Sequence, residues 1–153
     1  MKNFLLFFIH GIPELTACAA FCLALAGIPL HWKKVIPIGL VLTVAIYLIR
    51  MLQMHFGLHT LLATLLLTFI LLKTTTISPK QAFTFSMITF VTILIVEYIC
   101  VQTVFAVTGL DPSIIKENEL IWKMVATPQI LVMFLLAFII AKTKKKSHGE
   151  WSV

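Results

Sequence analysis

Apolar residues run through this chain in five long stretches, and polar residues fall between them in short clusters. The stretches cover residues 4–27, 35–54, 58–72, 81–107 and 124–141. At 1.5 Å per residue, about 20 residues cross the hydrocarbon core of a bilayer, so four of these stretches are long enough and the third is rather short. The pattern predicts an all-α fold: a polytopic membrane helical bundle of about five transmembrane helices forming one integral membrane domain over residues 1–153.

The breaks between runs are local and readable. Pro13 and Glu14 interrupt the first run and predict a kinked span, while Ala17, Ala20, Ala24 and Gly27 recur at three and four and permit close helix approach in lipid. Ile28 to Lys34 is a turn with an interfacial tryptophan, Trp32. Phe56-Gly57 separates the second and third runs, and Lys73 with the polar stretch to Lys80 closes the third. Gly109-Leu-Asp-Pro112 ends the fourth, with Asp111 able to cap and Pro112 able to start a helix. Over residues 113–123, Ile114, Ile115 and Ile121 alternate at helical spacing with Lys116, Glu117, Asn118 and Glu119. That is either an amphipathic helix in the headgroup region or a wet extension of the last span. A basic tail, 142–153, follows.

Composition agrees with the pattern. Hydrophobic residues make up 60% of the chain and charged residues 12%, with a mean hydropathy of +1.04, where soluble domains carry about a quarter charged residues. Cys18, Cys22 and Cys100 all lie in apolar runs, so a disulfide framework is not expected. Leu15-Thr-Ala-Cys18 has the form of a lipoprotein cleavage box, but Pro13 and Glu14 interrupt the run before it and the residues after Cys18 stay apolar, so an uncleaved span is expected.

The net charge of +6 matters through its placement. Lys33 and Lys34, then Lys73 and Lys80, then the Lys142, Lys144, Lys145, Lys146 cluster fall in alternate connections, and positive charge marks the cytoplasmic side. The N-terminus is therefore expected outside and the C-terminus in the cytoplasm. A four-span arrangement with a re-entrant third run is the alternative. The terminal lysines are a topology signal that also contacts anionic lipid; neither they nor any motif points to nucleic acid.

Chemistry concentrates in a few ionisable residues. Glu14 and Glu97 fall near the middle of their runs, and Arg50 lies within about a turn of the end of its own. Ionisable groups at membrane depth demand partners, and Arg50 is expected to reach Glu14 or Glu97, or else to extend toward the headgroups. His10, Gln53 and His59 sit near the same level, giving a candidate polar cluster of His10, Glu14, Arg50, Gln53, His59 and Glu97. A ligand or ion site, a structural contact between helices and a neutral glutamate are the three readings open to it. His55 and His59 stand four apart, as do His10 and Glu14, but three or four converging ligands are not evident and no metal site is expected. No phosphate loop, nucleophile elbow or nucleophile and base pair is present, so neither an enzyme nor a cofactor is expected.

Ile12-Pro-Glu14, Tyr47-Leu-Ile-Arg50 followed by Phe56-Gly-Leu-His-Thr60, Val96-Glu-Tyr98, Gly109-Leu-Asp111 and Pro128-Gln129 together resemble the multi-span N-terminal membrane region of bacterial sensor histidine kinases of the GHKL class. The resemblance implies a membrane sensor of an external or membrane-borne cue. Only residues 142–153 follow the last run, so the phosphoacceptor helix and ATP-binding domain of that class are not part of this sequence. The expectation is a stand-alone sensory or regulatory module working through a membrane or cytoplasmic signalling partner. A small-solute transport component, such as a substrate-capture subunit, is the alternative. Oligomeric state is not legible.

Overall fold

The computed structural model describes residues 2–51, 58–109, 119–143 and 150–152. They form five helices: α1 (Lys2–Leu25), α2 (Trp32–Met51), α3 (Leu58–Thr74), α4 (Pro79–Thr108) and α5 (Glu119–Thr143). Four of them, all but α3, are long and apolar enough to cross a membrane. No strand longer than a single bridge occurs among the described residues. The described residues are thus all-helical, as expected, with four helices, not five, of spanning length and apolarity.

Each helix packs on the next in chain order, α5 closes back on α1, and α1 also reaches α4. This places α1 at the centre, and it is the most enclosed of the four long helices. Leu15 and the unbroken stretch from Ala17 to Ala24 are buried, because alanines and cysteines let neighbouring backbones approach on every side. By contrast α4 leaves Val91, Leu94, Ile95 and Tyr98 exposed, as suits a helix facing hydrocarbon.

The α1–α2 contact shows how close the approach is. A Cβ added to Gly39 would meet Thr16 Cα at 2.7 Å and would also clash with the Thr16 hydroxyl. One turn away, the Thr43 hydroxyl donates to Gly39 O at 2.8 Å within its own helix and contacts Gly11 O at 3.2 Å across to α1. Thr64, Thr68 and Thr89 likewise donate to the carbonyl four residues back. These hydroxyls are satisfied by the backbone already there, whereas the buried Thr16 hydroxyl has no hydrogen-bond partner among the described residues.

The helix ends are set by local chemistry. Gly27, at φ 71°, terminates α1 with Ile28 N donating to Leu23 O and Gly27 N to Ala24 O, both at 3.0 Å, the paired bonds of a Schellman motif. Ser78 and Gln81 form a reciprocal capping box at the start of α4, with Pro79 in the first turn, and Gly109 at φ 65° closes it. Helix α1 continues through Pro13 as one element. Residues Glu119–Lys123, read from the sequence as part of a separate amphipathic helix over 113–123 or as an extension of the last span, are the first turns of α5 itself. Once Pro128 is tolerated, nothing interrupts the helical hydrogen bonds there; residues 113–118 lie outside the described set.

Lysine-bearing segments meet at one end of the bundle. Lys34 on α2 lies over the Trp151 ring at 4.9 Å, and Ser152 contacts the carbonyl of Lys73 on α3 at 3.3 Å.

Candidate functional site

A half-open cleft of about 230 Å³ lies among α1–α5 and is lined by His10, Glu14, Thr60, Glu97, Lys123 and Gln129 together with Phe7, Leu15, Ala63, Phe90 and Ile93. Counted from the lysine-rich end of each helix at 1.5 Å per residue, Glu14 sits roughly 16 Å along, Gln129 roughly 21 Å, Glu97 roughly 27 Å and Lys123 roughly 30 Å. The cleft therefore runs from mid-bundle toward the end opposite the lysines.

Glu14 is its centre. Gln129 Nε2 donates to Glu14 Oε1 at 3.0 Å, and His10 Nε2 lies 3.9 Å from Glu14 Oε2, one helical turn away. The second distance is too long for a hydrogen bond. Gln129 is 1% exposed, and its Oε1 has no hydrogen-bond partner among the described residues. The Glu14 side chain, 28% exposed, borders the open side. The described lining thus sets two carboxylates, one ammonium and one imidazole in apolar walls, where low dielectric strengthens each interaction. Its volume exceeds the about 150 Å³ at which an engineered apolar cavity already takes a benzene-sized guest.

Of the residues singled out from the sequence, the structure brings together His10, Glu14 and Glu97. Arg50 and His59 belong to α2 and α3, but their side chains, and Gln53 entirely, lie outside the described residues; the same holds for His55. Lys142 is exposed in the last turn of α5, while Lys144, Lys145 and Lys146 are outside the described set. No group of three His, Cys, Asp or Glu that could hold a metal occurs among the described residues.

Sequence reasoning passed over Gln129 and Lys123. Gln129 was legible as an amide inside the last apolar run, next to Pro128, yet it entered only as part of a resemblance. Lys123 lies just before the last apolar run, which begins at Met124, and only the start of α5 at Glu119 takes it into the helix.

No family model matches the chain, and no curated protein or solved structure matches it either.

Proposed function

We propose that this chain is an integral membrane sensory module that binds a small molecule in the cleft around Glu14 and acts through a partner protein. The observation that carries the reading is the convergence of His10 and Glu14 from α1, Glu97 from α4 and Lys123 and Gln129 from α5 on one half-open cleft. A carboxylate near mid-span has a desolvation cost that ordinary packing does not require, and such residues mark sites of binding or switching. The likeness of the sequence motifs to GHKL-class sensor regions favours sensing over transport.

In this reading the chain crosses a bacterial cell membrane five times, with its N-terminus outside. The gathering of Lys34 and Lys73 at one end supports that orientation, because positive connections stay cytoplasmic. The cleft then faces outward, where an external cue arrives, and the lysine-rich end faces the cytoplasm, where a partner is reached. Helix α3 has 17 residues, about 26 Å of rise, which a slight local thinning of the bilayer accommodates.

Native mass spectrometry of the protein extracted from its own membranes into nanodiscs tests this. A small-molecule adduct is expected on the wild type and lost from Glu14→Ala and from Gln129→Ala. Wild type and both variants carrying the same lipid adducts and nothing else would overturn the binding reading. Uptake of the bound species into cells, in place of a change in the proteins crosslinked to the chain, would favour the substrate-capture alternative over the sensor.

A further inference from the structure

At the lysine-rich end, residues Glu150–Ser152 lie in a groove between the α1–α2 and α3–α4 connections. Trp151 pairs antiparallel with Thr75. Thr76 N donates to Glu150 O, and Ser152 N donates to Thr74 O, both at 3.0 Å. Glu150 N in turn donates to Thr76 Oγ1 at 3.0 Å. The Trp151 indole donates to Pro29 O at 3.0 Å, its ring packs edge-on to His31 at 6.2 Å, and Lys34 covers its face. One tripeptide thereby ties together two connections far apart in sequence.

We propose that this groove is a binding site for an extended, tryptophan-bearing peptide segment, filled by the chain's own C-terminal residues as a releasable intramolecular ligand. The recognition has two parts that a passive packing contact lacks. Backbone bonds from the Thr74–Thr76 edge read an extended strand in register, as in β-strand addition, and a pocket of Pro29, His31 and Lys34 reads the indole by a hydrogen bond and a cation–π contact.

Release strands few polar groups, and its main cost is re-exposing the half-buried Trp151 ring, which an incoming tryptophan-bearing segment would recover. Pro29 O also accepts from His31 N at 3.0 Å, so it keeps a partner when the indole leaves. Thr76, Glu150 and Ser152 are exposed, so the polar groups that separate are hydrated at once. A single bridged strand pair is marginal in water on its own. The site is therefore built to exchange occupants, and a vacated Thr74–Thr76 edge would accept an extended segment of another protein.

Amide hydrogen exchange and peptide binding test this on the full chain in nanodiscs of zwitterionic lipid. In the wild type, the amides of Thr76 and Ser152 should exchange at least about tenfold more slowly than in free peptide, the scale of one net hydrogen bond with its cation–π contact. Lys34→Ala should reduce the Ser152 protection while leaving the helices intact. A fluorescent peptide of residues 147–153 should bind Trp151→Ala at least about tenfold more tightly than wild type, and the same peptide with Trp151→Ala should not bind. Free-peptide exchange of Ser152 in the wild type would overturn the proposal without recourse to any variant. Equal binding of the peptide to wild type and Trp151→Ala would overturn it as well.

Discussion

Replacing Glu14 and Gln129 by alanine, singly and together, measures the hydrogen bond on which the cleft is centred. Gln129 is 1% exposed and donates to Glu14 at 3.0 Å, so water does not readily replace Glu14 as its partner. Glu14 is partly exposed and can be rehydrated from the cleft, which limits its loss. Hydrogen bonds between transmembrane helices average about 0.6 kcal/mol in double-mutant cycles and reach about 1.7. A buried donor on a carboxylate belongs in the upper part of that range, so a coupling of about 1 to 1.7 kcal/mol is expected. His10, at 3.9 Å, adds little to the term. The assay is reversible unfolding in mixed micelles, with Ser78→Ala as a distant partner for each mutation; those pairs should be additive within about 0.5 kcal/mol. A Glu14–Gln129 coupling indistinguishable from the Ser78 controls would refute the claim that this contact joins α1 to α5.

Two further perturbations test the fold that positions the cleft. Gly39→Ala places a methyl 2.7 Å from Thr16 Cα and should lower stability by about 1–3 kcal/mol in the same unfolding assay, as overpacking does; Thr16→Ala added to it should recover only part of the loss, because the Cα obstacle stays. Ser78→Ala removes the side chain that caps α4 and accepts from Gln81 N, and should cost about 1 kcal/mol with faster amide exchange confined to the first turn of α4.

The sequence by itself determined an all-helical, strongly apolar chain and roughly where its helices lie, the start of α5 at Glu119 excepted. Runs of apolar residues broken at Gly27, Lys73 to Lys80 and Gly109 leave few alternatives, because a backbone in hydrocarbon must bond to itself. It also marked Glu14 and Glu97, since carboxylates at that depth are rare. Which partners they meet was decided by tertiary structure. Hydropathy in a membrane helix is nearly uniform around its axis, as lipid and core are both apolar, so the pattern does not say which face of α5 turns inward. Only the rotation of α5 against α1 puts Gln129 on Glu14. The docking of Trp151 was hidden for a related reason: the indole is more than a hundred residues from the Pro29 carbonyl and Lys34 that hold it, and no local periodicity links them. Helices were legible because their bonds are local; the cleft and the groove were not, because they exist only once the helices have chosen their neighbours.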